Sequence, residues 1–329
     1  EAIKKIDKKL NEDDRAQAIY ACGAGKTFLG IYYAKDKLKK IKGAKNLVFL
    51  CPSLQLMRQA YLDYLEHYYE PDVRMVAVCS DKDITDVETE IKYDSSDAGF
   101  PATTDPKTLK KILKGSKHNV VFCTYQSLQV LKDAGIKVQL AILDEAHRTA
   151  TDRGSIWAAS LDDSFIKMDK RLFMTATPRR RRSLKYDVTS MDNVDDYGDR
   201  AVTLNFSQAK ELGIVCDFKV IVSVITSNDI NRDFLNSGGV RDGDGRIPVR
   251  AIQRAHQVSL KKAIKKFNLK KIFSFHNRRE VAKEFTSDTP EGIGAVIKGI
   301  GSYYVDGKMS AGERAKILED HSKEKVYIT

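Results

Sequence analysis

The sequence predicts an α/β fold: two parallel-sheet domains in tandem, the second of them incomplete. Three observations predict it. Short apolar runs alternate with amphipathic stretches, a glycine-rich turn closes the first run, and an acidic pair closes a later one. Strands that alternate with helical patterns imply a parallel sheet covered on both faces. At 329 residues the chain has the length for about two domains with real cores.

The first-domain strands are read at 16–21, 47–51, 73–79, 120–124, 140–143 and 172–175, with a helix at 28–40 after the glycine-rich turn. Segment 81–107 is polar, holds two prolines and reads as a loop or insertion. After Pro178 the pattern breaks through the four arginines 179–182 and the acidic stretch 192–199. The first domain is therefore expected over 1–200 and the second over 201–329. The second opens with a helix at 207–212, where Gly213 serves as the C-cap, and a strand at 218–226. A glycine-rich stretch at 237–245 reads as a mobile loop, and a basic helix follows at 249–267. Beyond it come a strand at 271–275, a helix at 279–285, a strand at 303–305, a helix at 311–320 and a strand cut short at 326–329.

Composition narrows the function classes. Hydrophobic content of 42% and charged content of 31% fit a soluble globular protein. No apolar run is long enough to span a bilayer and no signal-peptide pattern opens the chain, so an intracellular, cytoplasmic protein with no membrane partner is expected. The formal charge of +11 favours polyanionic partners, although any single lysine cluster fits a solvated helix face better. Five cysteines stand far apart with no C-x-x-C pair, which predicts reduced, mostly buried thiols and neither a zinc site nor a disulfide frame.

The chemistry is concentrated in two strings. Cys22-Gly23-Ala24-Gly25-Lys26-Thr27 lies between an apolar strand and a helix, where backbone N–H groups and the helix N-terminus favour a phosphate. Lys26 would neutralise β/γ charge and Thr27 would ligate Mg²⁺. Asp144-Glu145-Ala146-His147 ends a mostly apolar strand, where carboxylates line the ligand crevice of an open α/β sheet. Asp144 would hold the same Mg²⁺ and Glu145 would orient an attacking water. Together the strings imply a nucleoside triphosphate site, with Tyr20 standing where the usual phosphate-loop pattern has its first glycine.

With these positions in hand, the chain resembles the motor core of superfamily 2 helicases and translocases of the DEAH type. Residues 21–27 look like motif I, Asp144-Glu145-Ala146-His147 like motif II, and Thr175-Ala176-Thr177-Pro178 like motif III. Tyr20 agrees with that family, which often lacks the first glycine. The resemblance implies two RecA-like domains, ATP and Mg²⁺ as cofactors, and hydrolysis with Lys26, Asp144 and Glu145 as the catalytic set. It also implies that His147, Thr175 and Thr177 couple the ATP site to movement. Pro52-Ser53 looks like motif Ia, and Thr124-Tyr125-Gln126-Ser127-Leu128 like a later first-domain motif. In the family both touch the nucleic-acid backbone; taken singly, Ser53, Thr124 or Gln126 fits an ordinary turn or helix cap equally well. Phe275-His276-Asn277-Arg278 resembles motif IV, which adds His276 and Asn277 to the nucleic-acid set.

Strings at 101–106, 191–193, 197–198 and 204–220 look like the motors of single-polypeptide type I restriction-modification enzymes. That branch implies double-stranded DNA as the partner, RNA being the alternative. The family's motifs V and VI, with the arginine that stabilises the transferring phosphoryl group, are not in this sequence. The chain is therefore expected to be part of a longer protein, whose remaining motor and nuclease or methyltransferase domains would be further partners, and to hydrolyse ATP weakly by itself. A metal nuclease is a distant alternative, resting on Asp72 with Glu90 and Lys92; a nucleic-acid-binding module that holds nucleotide without efficient hydrolysis is a third.

Overall fold

The computed structural model describes residues 1–40, 45–68, 72–79, 102–114, 116, 118–224, 249–306, 309, 313, 316–317, 319–321 and 327–328. The chain divides after Asp217 into two compact units.

In the first unit eight strands form one parallel sheet: β1 (Arg15–Tyr20), β2 (Lys45–Cys51), β3 (Val73–Val78), β4 (Ala102–Thr103), β5 (His118–Thr124), β6 (Leu140–Leu143), β7 (Arg171–Thr175) and β8 (Asp199–Leu204). Their order is β4-β3-β5-β2-β6-β7-β1-β8. Around it lie α1 (Ala2–Glu12), α2 (Lys26–Lys40), α3 (Leu54–Tyr68), α4 (Pro106–Lys114), α5 (Leu128–Asp133), α6 (Val194–Tyr197) and α7 (Phe206–Glu211).

The near-continuous apolar strands are explained by burial on both faces. Successive side chains alternate between two cores. Leu47 and Phe49 of β2, Val120 and Phe122 of β5, Leu140 and Ile142 of β6, and Leu172 and Met174 of β7 enter the core that Ile6 of α1, Ile31 of α2 and Tyr64 of α3 cover. Val48, Leu50, Val121, Cys123, Ala141, Leu143 and Phe173 enter the other, beneath Leu109 of α4 and Leu131 of α5. The Phe122 ring stacks on Phe49 at 5.2 Å and meets the edges of Tyr61 and Tyr64 at 5.3 and 5.8 Å. Helix α2 rides so close to this sheet that a Cβ on Gly30 would lie 2.8 Å from Met174 Cε.

The boundary expected at residue 200 falls inside β8, which pairs in parallel with β1 and completes the first sheet. The acidic stretch before it is an anchored connection. Asn193 caps α6 by accepting from the Asp195 N–H at 3.0 Å, and Asp196 takes a bidentate bond from Arg153 at 3.0 and 2.7 Å. Fully buried Arg171 ties the loop before β7 together, donating to the carbonyls of Ser160 and Met168 and to Asp163 Oδ1 at 2.6 Å. Within the expected loop 81–107, Ala102 and Thr103 form β4 and Pro106 opens α4; residues 81–101 lie outside the described set.

The second unit holds α8 (Val249–Phe267), β9 (Lys271–Ile272), α9 (Arg279–Thr286), β10 (Gly301–Ser302) and β11 (Tyr327–Ile328), with the three short strands parallel in the order β10-β11-β9. Ile272, Phe285 and Ile293 form its buried cluster. The strand expected at 218–226 is not formed over 218–224, which joins no ladder among the described residues and leaves Val220 80% and Val222 84% exposed; 225–226 lie outside that set. Alternating β-branched residues supply propensity, but a strand needs a neighbour to bond. The strand read at 271–275 shortens to β9, and the one read at 303–305 gives way to β10 just before it. The stretch 237–245 and much of 311–320 lie outside the described residues. None of the five cysteines forms a disulfide; Cys51, Cys79 and Cys123 are buried as expected, whereas Cys22 and Cys216 are exposed.

Candidate functional site

The C-terminal ends of β6, β7 and β1, neighbours in the sheet, carry the residues singled out by the sequence. The turn after β1 enters α2 at Lys26. Gly23 and Gly25 adopt φ of +76° and +80°, a region where a side chain is strained. A Cβ on Gly25 would meet nothing within 4 Å, so its requirement is conformational. The Ala24 N–H donates back to the Ala21 carbonyl at 3.1 Å and closes the turn. Cys22 and Gly23 are exposed, Ala24 is buried, and Gly25, Lys26 and Thr27 are half-buried. The first N–H groups of α2 have no acceptor within their own helix, and with the positive end of its dipole they make an anion site.

Facing this turn, β6 ends in the acidic pair. The Lys26 ammonium lies 2.5 Å from Glu145 Oε1 and 3.9 Å from Asp144 Oδ1. Asp144 is 7% exposed. Burial pushes its carboxyl up to about 6; Lys26 opposes the shift and the neighbouring Glu145 charge adds to it. The Glu145 N–H donates to Asp144 Oδ1 at 3.0 Å, and Glu145 itself sits at φ +48°, ψ +43°. A left-handed non-glycine residue is strained, and such strain clusters at functional sites.

His147 connects this pair to β7. Its Nδ1 lies 2.9 Å from Thr175 Oγ1 and 3.2 Å from Glu145 Oε2, while the Thr177 N–H donates to Thr175 Oγ1 at 3.1 Å. Burial lowers the His147 pKa against the pull of Glu145, which favours the neutral ring. Lys26, Asp144, Glu145, His147, Thr175 and Thr177 thus form one connected polar chain. The arrangement holds a cation beside two carboxylates, with a hydroxyl-histidine relay leading away from them.

The residues expected on nucleic acid are more scattered. Pro52 is buried after β2, and exposed Ser53 caps α3, its Oγ accepting from the Leu56 N–H at 3.3 Å. Thr124 ends β5 buried, its hydroxyl 2.9 Å from that of Ser127, while Gln126 is exposed on the single turn that follows. His276 and Asn277 belong to the second unit, where His276 Nε2 lies 2.9 Å from Ser274 Oγ and its ring packs on Phe285 at 4.7 Å; Asn277 is exposed. Sequence reasoning missed Tyr125 as a site residue. Fully buried, it donates its hydroxyl to the Asp144 carbonyl at 2.9 Å and so fixes the end of β6. A tyrosine between two polar residues at a strand end was the signal available. Among the described residues no group of three or more His, Cys, Asp or Glu assembles as a metal site; Asp72 is exposed, and Glu90 and Lys92 lie outside that set.

A family profile described as type III restriction enzyme, res subunit (ResIII), matches residues 1–180, over half of the chain. The chain belongs to this family. It is a superfamily 2 helicase core of the restriction-enzyme branch. The ResIII chain is similar to the ATP-dependent type ISP restriction-modification enzyme LlaBIII bound to DNA, with 24% identity, a TM-score of 0.77, and coverage of 99% of this chain and 24% of that one. It is also similar to a nuclease-deletion mutant of the type ISP enzyme LlaGI in complex with a DNA substrate mimic, at 29% identity, TM-score 0.52, and coverage of 65% and 20%. The Hef helicase domain of Pyrococcus furiosus matches at 15% identity and TM-score 0.50 over 99% of this chain and 85% of that one. The ResIII chain therefore spans about a quarter of LlaBIII and a fifth of LlaGI. No curated protein matches it. The α/β, RecA-like architecture is shared with these helicases. Among the described residues no helix is long and apolar enough to cross a membrane.

Proposed function

We propose that this ResIII chain is the ATP-driven DNA translocase or helicase module of a larger restriction-modification protein. The observation that carries the reading is the convergence of Lys26, Asp144 and Glu145 beside the helix turn, with Glu145 linked through His147 to Thr175. The turn fits a phosphate tail because its two glycines hold left-handed backbone and its lysine already lies against carboxylates that a γ-phosphate would replace. Thr27 and Asp144 would hold Mg²⁺, with phosphate oxygens completing its shell. Bound there, Mg²⁺ would neutralise phosphate charge and favour the ionised form of Asp144.

Glu145 then orients the water that attacks the terminal phosphorus, freed from Lys26 once the lysine turns to phosphate. His147 and Thr175 carry the change at Glu145 to Thr177. At the ends of β2 and β5 the exposed Ser53 and Gln126 offer a hydroxyl and an amide that suit phosphate oxygens, with buried Pro52 and Thr124 supporting their turns, and His276 and Asn277 would add contacts from the second unit. LlaBIII is described as bound to DNA and LlaGI as bound to a DNA substrate mimic, which supports DNA over RNA.

The test is phosphate release by this chain and by the protein that contains it, with duplex DNA, single-stranded DNA or RNA. Duplex DNA is expected to stimulate hydrolysis by the larger protein, and Glu145→Gln to lower it by about a thousandfold. Lys26→Ala should abolish it. Hydrolysis that ignores every polymer, or survives Lys26→Ala, would sink the motor reading; a larger protein that hydrolyses nothing with any polymer would leave a nucleotide-holding binding module.

A further inference from the structure

Between β7 and α6 the chain leaves the catalytic edge of the sheet, turns and comes back. Its outward arm starts at Thr175 and Thr177, and its return arm is bonded to the segment directly after the acidic pair. Asp152 and Val188 form an antiparallel bridge, the Thr189 N–H donates to the Thr151 carbonyl at 2.8 Å, and the Arg153 N–H donates to the Asp187 carbonyl at 3.1 Å. Across the base of the loop, the Met191 N–H bonds the Arg179 carbonyl at 3.0 Å and the Arg181 N–H bonds Ser190 Oγ at 2.9 Å. The tip is shaped by Ser183, whose Oγ accepts from the Tyr186 N–H at 2.9 Å. A held loop of this kind has been given a fixed shape for something.

What it presents is one-sided. Residues 179–186 read Arg-Arg-Arg-Arg-Ser-Leu-Lys-Tyr, five positive charges with no carboxylate among them. Arg179, Arg180 and Arg182 are exposed and Arg181 half-exposed, and among the described residues none of the four forms an ion pair. Asp187 is engaged by Arg153 at 3.1 Å, and the Asp192 carboxylate accepts from the Ser190 hydroxyl, which with the charges of Arg180 and Arg182 holds it below the usual carboxylate range while leaving it too far from either arginine for an ion pair. At the tip Leu184 is fully exposed and Tyr186 is 59% exposed. Solvation alone explains arginines, but not a leucine and a tyrosine carried outward on the same braced turn. Arginines that flank an apolar wedge match a phosphate backbone with a groove or base edge between its strands.

We propose that residues 179–186 form a DNA-contacting loop, in which the arginines hold duplex phosphates and Leu184 and Tyr186 press into the groove between them. The proposal rests on the motor reading above and names a contact that lies outside the helicase motifs. Because both arms are fixed to the segments that carry His147 and Thr175, a load on this loop reaches the ATP site through backbone hydrogen bonds.

Duplex binding by the full chain would be followed by fluorescence anisotropy of a labelled DNA duplex across a salt series, with a fluorescent ATP analogue to monitor the nucleotide site. Arg180→Gln with Arg182→Gln is expected to weaken duplex binding about tenfold and to lower the slope of log affinity against log salt by about 2, since each lost phosphate contact removes about 0.9. Leu184→Ser with Tyr186→Ser is expected to weaken binding about fivefold with the slope unchanged. ATP-analogue affinity should stay at the wild-type value in both. If wild type binds duplex and the arginine pair leaves affinity and slope intact, the loop assignment is overturned while the motor reading stands. If wild type binds no duplex, both fall. Equal losses of duplex and nucleotide affinity overturn the loop assignment by showing a folding defect, and tighter binding of single strands than of duplex overturns the partner named here.

Discussion

The two units differ in how they hold their functional residues. In the first, an eight-stranded parallel sheet with a core on each face delivers Lys26, Asp144, Glu145, His147 and Thr175 at adjacent strand ends. In the second, the described strands are two residues long, the buried cluster is Ile272, Phe285 and Ile293, and His276 is positioned by one hydroxyl and one ring. If the proposed roles hold, hydrolysis would need groups held closely before the reaction starts, which deep packing supplies, while contact with a phosphate backbone would tolerate a shallower support.

The contrast can be broken most directly through the cores. Phe122→Ala removes a ring stacked against Phe49, Tyr61 and Tyr64 and should destabilise the first unit by about 4 kcal/mol. Phe285→Ala should cost the second unit less, about 3 kcal/mol, and leave the first untouched. Urea melts read by a probe in each unit would test this; a single transition shifted equally by both substitutions would show that the units do not differ in this way.

The next largest effect concerns Asp144. Its carboxyl, pushed up to about 6 by burial, titrates above the ordinary aspartate value of about 3.9. Below about pH 4 both folded and unfolded chains hold the proton. As pH rises towards 6 the unfolded chain releases it first, so this group's contribution turns against the fold and stays unfavourable above about 6. Asp144→Asn should therefore stabilise the first unit at pH 7 by up to about 3 kcal/mol, with the gain vanishing near pH 4, in metal-free and nucleotide-free melts. A gain independent of pH would refute this account. Hydrolysis should be lost in the same variant, which would set stability against function in the deep unit.

The smallest effect lies at the rim. Asn205→Ala removes the reciprocal capping box with Gln208 at the start of α7 and should cost about 1 kcal/mol. A larger loss would mean that the rim of the first unit is as tightly coupled as its centre.

Much of the first unit was legible because its strands are buried on both faces, and apolar runs such as Val120 to Cys123 announce that condition directly. β8 was not, because as an edge strand it reads Asp-Arg-Ala-Val-Thr-Leu, with Asp199 and Arg200 exposed, and because the acidic residues before it suggested a break. β4 has two residues and no pattern to read. The residues at 218–224 failed in the opposite sense, their alternating valines implying a ladder for which the described residues supply no neighbour. In the site, the turn and the acidic pair were readable as chemistry. Tyr125 and the bracing of 187–191 against 149–153 were not, since both depend on carbonyls that distant segments present.

The place of β1 in the sheet has a consequence for synthesis. This strand, made earlier than either of its neighbours, lies between β7 and β8, bonded to residues as late as Thr175 and Leu204. Until those have been made, β1 has neither neighbour, and the glycine turn at its end lacks the bond from Ala21 to Leu204 that steadies its base. Contacts so distant in sequence form late and slowly. A nascent chain therefore leaves the base of this turn unbraced until β8 emerges, so the turn is completed only when the sheet around it is closed.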